Sequence, residues 1–190
     1  MLSVFRPMLV LFALMTLLTG VVYPIAVTGL ARVLFPAAAA GSIVERHGVP
    51  VGSRLIGQSF TDPKYFGSRP SATATTPYNA VASGGSNLGP LNPALIEAVE
   101  ARVEALRTAD PTNRAPVPVD LVTASASGLD PHISVAAAEY QVARIARVRG
   151  LKEAQVRALV TSHTELPALG IIGEPRVNVL ALNLALDALP

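Results

Sequence analysis

The sequence predicts an α+β protein with a single N-terminal transmembrane helix followed by one mixed extracytoplasmic domain. An uncharged run occupies residues 7–31, between Arg6 and Arg32, and exceeds the roughly 20 residues needed to cross a hydrocarbon core. Residues 41–92 are rich in Gly, Ser, Pro, Thr and Asn, which is typical of strands and ordered loops. Residues 93–190 then show helical periodicity, without the regular strand–helix alternation of a doubly wound sheet.

The apolar run sets the domain boundaries, with a tail and anchor over residues 1–34 and a soluble α+β domain over residues 35–190. A cleaved signal peptide is an alternative, because residues 37–40 are all alanine, yet its apolar core is only about 7–15 residues long. A buried core helix is usually shorter and has a polar face. Basic residues flank both ends, so charge hardly decides the orientation. Because a short tail is easily retained inside, we expect a cytoplasmic N-terminus and a domain outside the cytoplasm.

Small residues and a proline recur every four positions in the apolar run, at Thr16, Gly20, Pro24 and Thr28. Lipid does not require such a face, whereas a neighbouring helix does, since small residues let two backbones approach closely. We therefore predict a helix-packing interface at these four positions, in addition to contact with the lipid bilayer.

Composition excludes several classes of function. Two of the 15 Lys and Arg residues flank the apolar run, and the rest balance 13 Asp and Glu, so a nucleic-acid partner has little electrostatic support. The chain has no Cys, which excludes disulfides, thiolate catalysis and Cys-based metal sites. No His-Glu-x-x-His pattern is present either, and we predict no metal site.

Helices are predicted to dominate from Asn92 onward. Asn92 is a suitable N-cap with Pro93 in the first helical position, and the helix should end before Asp110. Its apolar stripe is formed by Leu95, Ile96, Val99, Val103 and Leu106. A second helix should begin after His132 and stop at Gly150, with a buried face formed by Val135, Ala138, Val142 and Ile145. A short third helix is expected over residues 152–162.

Two strands are predicted in this half of the chain. Residues 116–122 contain two prolines, so they can form only an edge strand. Residues 176–182 are rich in apolar and β-branched side chains and should form a second strand. Asn183 would then cap a terminal helical turn.

Candidate catalytic groups are few. His132 follows a turn-rich segment and is interpreted as a helix-entry residue, and His163 shares a helical face with apolar residues, which favours a partly buried structural role. The Gly-rich residues 83–90 lack the patterns of a P-loop or a dinucleotide fold, so a tight loop with positive φ at glycine is favoured over a phosphate site. The basic stretch from Arg144 to Arg157 is interpreted as a solvated helix face, with lipid headgroups, an acidic partner or a nucleotide as alternatives.

Several segments together resemble one known family. They include YFGSRPSA at 65–72, residues 78–90, VDLVTASASGLDPHIS at 119–134, residues 163–165, GEPRVNVL at 173–180 and residues 182–183. In this order they are similar to the C subunit of the Kdp potassium-transporting ATPase of bacteria. The resemblance runs from the anchor to the carboxyl terminus.

The resemblance implies a non-catalytic accessory subunit in the bacterial inner membrane, with no independent activity expected. Its partners would be a potassium-conducting subunit and an ATP-hydrolysing P-type subunit. In that family the C subunit assembles with both and is described as a catalytic chaperone that raises the ATP affinity of the pump. No tightly bound cofactor is implied, and ATP is the only candidate ligand. The family's proposed nucleotide-contacting glutamine falls on Gln141, and Arg144, one turn later, could face the same ligand.

The side of the membrane on which the domain lies determines how it can affect ATP affinity. If the domain lies outside the cytoplasm, cytoplasmic ATP cannot reach Gln141, so an effect on ATP affinity would act by linkage across the membrane. A membrane-anchored envelope hydrolase or ligand-binding domain that uses His132 or His163 is the alternative function.

Overall fold

A computed structural model describes residues 2–167 and 169–189 of the chain. They form two units, one ending at Ile43 and the other beginning at Val44. The first unit is helical, with α1 at Leu2–Leu17, a π-helical turn at Leu18–Val22, α2 at Tyr23–Leu34 and the short α3 at Pro36–Ala39. The helical stretch Val4–Leu34 has 31 residues and a mean hydropathy of 2.2, and none of its most apolar window is buried. This is consistent with a single-pass membrane protein.

Pro24 explains the π-helical turn. Proline lacks an N–H group, and its ring clashes with the carbonyl of the residue four positions earlier, here Gly20. The helix widens just before Pro24, where the Tyr23 N–H donates to the Leu18 carbonyl. Of the four positions predicted to form a helix-packing face, one lies before this π-helical turn, one within it and two after it. Steps of four residues advance by about 40° around an α-helix, and a wider turn counteracts that drift.

Within the described residues, the second unit combines two small sheets with four α-helices. Its elements are β1 at Ile43–Arg46, which begins one residue before the unit, β2 at Val49–Ser53, α4 at Pro93–Ala109, β3 at His132–Ser134, α5 at Val135–Arg149, α6 at Glu153–Ser162, β4 at Thr164–Glu165, β5 at Arg176–Asn178 and α7 at Val179–Leu186. Strands β1 and β2 pair with each other, and β5 lies between β3 and β4 in an antiparallel sheet. The predicted α+β class is confirmed.

Helix α5 is the centre of the core. Its caps match the sequence, since the Ser134 side chain accepts from the Ala137 N–H and Gly150 ends the helix in the left-handed conformation at φ 68°. The predicted face is confirmed at Ala138, Val142 and Ile145, whereas Val135 is only half-buried. This face packs in one apolar cluster with residues of the sheet, α6 and α7, among them Ile133, Val156, Val160, Val177, Leu182 and Leu186.

The predicted helices at 93–109 and 152–162 are confirmed, with Asn92 capping α4 and Lys152 preceding α6. The apolar stripe of α4 is covered less than its periodicity predicts, because no residue of this helix is buried and Ile96 is exposed. Helix α4 therefore lies at the surface of the domain, half-covered on its apolar side.

Of the two strands predicted in the second half, the one at 116–122 is wrong and the one at 176–182 is correct only at its start. Residues 116–122 form an irregular segment with a 3₁₀ turn at Val119–Leu121, because the Asp120 carboxylate accepts hydrogen bonds from the N–H and hydroxyl of Ser134 instead of the segment pairing as a strand. The predicted strand at 176–182 ends at Asn178, whose side chain caps α7. A fully buried apolar run has the same pattern in a helix and a strand, and the cap decides for the helix.

The Gly-rich loop also differs from the prediction. Positive φ occurs at Asn87 and at none of Gly84, Gly85 and Gly89. Glycine is required at position 85 for a different reason, since a Cβ there would lie 3.0 Å from the carbonyl oxygen of Ala126. Close backbone approach explains this loop.

Candidate functional site

The two predicted site residues, Gln141 and Arg144, lie one turn apart on α5 and contact the segment 63–67. The Gln141 Oε1 atom accepts from the Gly67 N–H at 2.7 Å and from Arg144 Nη2 at 2.8 Å. Its Nε2 donates to the carbonyls of Ala137 at 3.1 Å and Gly67 at 3.3 Å. The Gln141 residue is 3% exposed. Its amide is therefore fully hydrogen-bonded within the chain.

Asn183 on α7 holds the preceding residue of the same segment. Its Oδ1 accepts from the Phe66 N–H at 2.9 Å, and its Nδ2 donates to the Phe66 carbonyl at 3.0 Å. Gln141 and Asn183, together called the amide clamp, thus pair with the backbone of two successive residues. Each clamp side chain binds one N–H and one carbonyl, as a neighbouring β-strand does. Phe66 itself is fully buried in the core.

Two arginines of α5 bind the remaining carbonyls of the segment. Arg144 donates to the carbonyls of Pro63 and Tyr65, and Arg149 Nε donates to the Lys64 carbonyl at 2.8 Å. Burial is the main cause that lowers the pKa of the Arg144 guanidinium below its ordinary value. The interpretation of this basic stretch as a solvated face is therefore wrong for Arg144 and Arg149, whose guanidinium groups are directed at the backbone of the segment 63–67.

Asp187, just after α7, joins the segment to the rest of the domain. Its carboxylate accepts from Arg149 Nη2 at 2.7 Å, from the Tyr65 hydroxyl at 3.0 Å and from Arg46 Nη1 at 3.0 Å. Burial alone would raise the pKa of Asp187, but hydrogen bonds from Arg149, Tyr65 and Arg46 bring it below the ordinary value. Arg149 also lies 5.0 Å from the centre of the Tyr65 ring.

A cleft of about 740 Å³ lies between α4, α5 and the chain around residues 60–70. Both predicted nucleotide-associated residues line it, Gln141 and Arg144, and Arg102 of α4 adds a second cation. Phe60, Tyr65 and Leu106 contribute apolar wall. Two guanidinium groups beside an aromatic and aliphatic wall are suited to an organic anion.

His132 lies in a separate cluster of charges at the sheet. Its Nδ1 is 3.3 Å from Asp130 Oδ1, and its Nε2 is 3.7 Å from Glu165 Oε2. Arg69 contacts Asp130 at 3.4 Å, while Arg54 and Arg176 contact Glu165 at 3.7 Å and 3.3 Å. Both ring nitrogens thus face carboxylates. A base that activates a side-chain nucleophile needs a hydroxyl or thiol within hydrogen-bond reach, and in the described part of the chain the ring nitrogens of His132 contact carboxylates instead.

His163 ends α6 as its C-terminal cap. Its Nδ1 lies 3.0 Å from the Leu159 carbonyl and 3.1 Å from the Ser162 hydroxyl. The predicted partly buried, hydrogen-bonded role is confirmed. Within residues 2–167 and 169–189, no group of three or more His, Asp or Glu side chains is arranged to hold a metal ion.

Sequence reasoning missed Asn183, Arg149 and Asp187 as parts of the same assembly. One signal was available for Asn183, because a polar amide lies between leucines in an otherwise apolar run. Buried amides of this kind are retained where they bind backbone groups. The partner, Phe66, lies 117 residues away, and no local pattern identifies it.

An apolar span followed by a small α+β domain is consistent with a single-pass membrane protein that has one extramembrane domain. Comparison with known families specifies which one. The family model described as KdpC, the c chain of the K⁺-transporting ATPase, matches residues 5–188, and the chain belongs to this family.

Curated relatives agree with the family model. The chain is 70% identical over 187 residues to the potassium-transporting ATPase KdpC subunit of Polaromonas naphthalenivorans, covering 98% of this chain and 95% of the relative. The KdpC subunit of Variovorax paradoxus is 70% identical over 186 residues, with 98% and 96% covered. That of Dechloromonas aromatica is 62% identical over 186 residues, with 98% and 97% covered. The chain is therefore a subunit of a potassium-transporting ATPase, and other pump subunits are its partners.

Proposed function

We propose that the chain is a non-catalytic accessory subunit of an ATP-driven potassium uptake pump, needed for assembly and stability of the complex and raising the ATP affinity of the pump. The observation that carries the proposal is the internal use of Gln141 and Arg144. Their hydrogen-bonding groups hold the segment 63–67, so they maintain a rigid surface. A rigid, neutral domain is suited to binding neighbouring subunits.

The proposal includes the location of the domain. With its N-terminus in the cytoplasm, the span Val4–Leu34 would cross the inner membrane once and place the domain on the outer side. There the domain would contact the potassium-conducting subunit and favour one conformation of the pump. The ATP-hydrolysing subunit would then bind ATP more tightly by linkage, without nucleotide contacting this chain.

A second candidate function is direct binding of nucleotide in the cleft. It is supported by the position of Gln141, Arg144 and Arg102 along one wall. A nucleotide that contacts the Gln141 amide would have to replace a bond to Gly67, Ala137 or Arg144. Arg102 is held by one bond to the Val122 carbonyl at 2.8 Å, which leaves other donors of this guanidinium for a phosphate.

The experiment is purification of the pump with and without this chain, followed by potassium-dependent ATPase measurements over a range of ATP concentrations. We expect the chain to copurify with the other subunits, and the apparent KM for ATP to rise when the chain is absent. Copurification of a fully active pump of unchanged KM from cells that lack the chain would overturn the accessory role.

Topology is tested separately. The chain has no Cys, so single cysteines at Leu91 and Val148, both exposed, report which side of the membrane the domain occupies. We expect labelling by an impermeant maleimide added outside spheroplasts. Labelling only from the cytoplasmic side would refute both the location and the linkage across the membrane.

The cleft is tested by filling it. Ala105 lines the cleft, so Ala105→Trp should block it without removing a clamp bond, whereas Glu100→Trp places the same ring on another face of α4. Linkage predicts that both variants leave the apparent KM for ATP unchanged. A rise in KM with Ala105→Trp alone would favour direct binding.

A further inference from the structure

The loop between β4 and β5 exposes a group of large apolar side chains. In residues 166–172, Leu166, Leu169, Ile171 and Ile172 are 77%, 89%, 83% and 63% exposed. Single exposed apolar residues are ordinary on a protein surface. Four of them within one short loop are less ordinary, and exposed apolar groups of this kind are a feature of surfaces that bind a partner.

The fold holds this loop on a fixed base. Strands β4 and β5 pair at Thr164 with Val177 and at Glu165 with Arg176, and the latter two side chains form an ion pair at 3.3 Å. Val177 is fully buried in the core. At the tip, the Gly170 N–H donates to the Pro167 carbonyl at 2.9 Å. The apolar side chains are thus displayed on a hairpin whose base is part of the core.

We propose that the exposed side chains of Leu166, Leu169, Ile171 and Ile172 dock into an apolar recess on another subunit of the pump. A basic group at the edge of that recess would face Glu174. This inference rests on the accessory role proposed above and specifies the surface that performs it. The flanking charges support it. Glu165 is paired with Arg54 and Arg176, whereas Glu174, exposed next to the loop, makes no ion pair within the described residues.

The composition of the loop disfavours lipid as the occupant. Residues 166–172 contain no Trp, Tyr, Lys or Arg, which are the side chains that anchor segments at a membrane surface. The nearest charges in the sequence are Glu165 and Glu174, and anionic headgroups do not attract carboxylates. A second copy of the chain is disfavoured as well, since a symmetric contact would bring two Glu174 side chains together.

Substitution by asparagine tests the loop without straining it. Leu169 has a φ of 55°, a conformation rarely adopted by a bulky residue and better tolerated by asparagine. The double variant Leu169→Asn, Ile171→Asn should therefore keep the thermal unfolding midpoint while losing apolar contact. Leu91→Asn is the matched control, because Leu91 is 91% exposed in a different loop.

The measurement is retention of each variant by the assembled pump during dilution in detergent. We expect the double variant to bind about tenfold or more weakly, and Leu91→Asn to bind as the unsubstituted chain does. Equal retention of the double variant overturns the inference. If the unsubstituted chain is not retained either, the accessory role has failed as well, so the two failures are distinguishable.

A crosslink identifies the occupant. Because the chain has no Cys, a photo-crosslinker attached at Ile171→Cys reports this loop on a tagged chain, and Leu91→Cys serves as the control. We expect an adduct with another pump subunit from position 171 and none from position 91. An adduct with lipid, an adduct between two copies of this chain, or no adduct from position 171 would each overturn the inference.

Discussion

Replacement of Gln141 by leucine is the most direct test of the amide clamp. The substitution keeps the approximate size of the side chain but removes its bonds to the Gly67 N–H and carbonyl, at 2.7 Å and 3.3 Å. A backbone group left without a partner in a buried site costs about 1–3 kcal/mol. Gly67 is only half-buried, so we take the lower part of that range for each group. The expected loss of unfolding free energy is about 2–4 kcal/mol, a large part of the roughly 5–15 kcal/mol of a typical domain.

The assay is urea unfolding of the full chain in detergent, followed by circular dichroism, with hydrogen exchange of the 66–67 amides as a local readout. Gln155→Leu is the control, because Gln155 is exposed and accepts one bond from the Lys152 N–H, and it should cost about 1 kcal/mol or less. Faster exchange at Gly67 is expected only for Gln141→Leu. A loss no larger than that of the control would refute the clamp.

The same variants separate a structural role for Gln141 from contact with nucleotide. Asn183→Leu breaks the equivalent pair on Phe66, but Asn183 does not line the cleft. If Gln141 acts only through the segment 63–67, both variants should change the apparent KM of the pump for ATP to a similar extent. A selective effect of Gln141→Leu would show that the clamp alone does not explain this residue.

Three further predictions concern other parts of the chain. The pKa values of Asp130 and Asp187 lie below the ordinary 3.8 in the folded domain. The stability that these carboxylates contribute is therefore present above that pH and is lost as the pH falls through the folded pKa values. The thermal midpoint should be flat above about pH 5 and fall below about pH 4, and the fall should be less steep in Asp187→Asn. A steeper fall in that variant would contradict the assignment. Gly57→Ala should destabilise the domain by about 3 kcal/mol, because the new Cβ would meet the Tyr78 ring and lie 2.7 Å from the Asp130 carbonyl oxygen. Gly89→Ala is the control, because the space around Gly89 is open, and it should leave the unfolding midpoint unchanged. Equal midpoints for the two variants would refute the steric argument. Gly20→Leu should reduce copurification with the pump while membrane insertion is unchanged. Ala26→Leu, on another face of the same helix, should leave copurification unchanged. Unchanged copurification of Gly20→Leu would contradict the predicted helix-packing interface.

Local signals in the sequence were sufficient for much of the fold. The cap at Asn92, the periodicity of α5 and the stop at Gly150 depend on neighbours within one or two turns, and all three are confirmed. The strand predicted at 176–182 failed because a buried apolar run has no period that separates strand from helix. The segment 116–122 failed because Asp120 binds Ser134, 14 residues away, and its prolines alone do not reveal that contact.

The candidate site was predictable only in part. The family resemblance brought Gln141 and Arg144 to attention, but their partners are backbone groups 74 to 81 residues away. Hydrogen bonds of side chains to a loop backbone have no sequence signature, since any residue supplies the N–H and carbonyl. The half-covered α4 shows the same limit, because periodicity predicts which face is apolar and not how much of it is covered.

The amide clamp also constrains the order in which the domain can fold. During synthesis, residues 63–67 leave the ribosome long before Asn183, which lies 117 residues after Phe66. Synthesis adds roughly 5–20 residues per second, so about 6–23 s pass between the synthesis of Phe66 and that of Asn183. Contacts of such high sequence separation form late in folding. The segment 63–67 therefore cannot be enclosed until α7 has been synthesised and has folded. A chain that ends before α7 would leave this segment accessible to proteases.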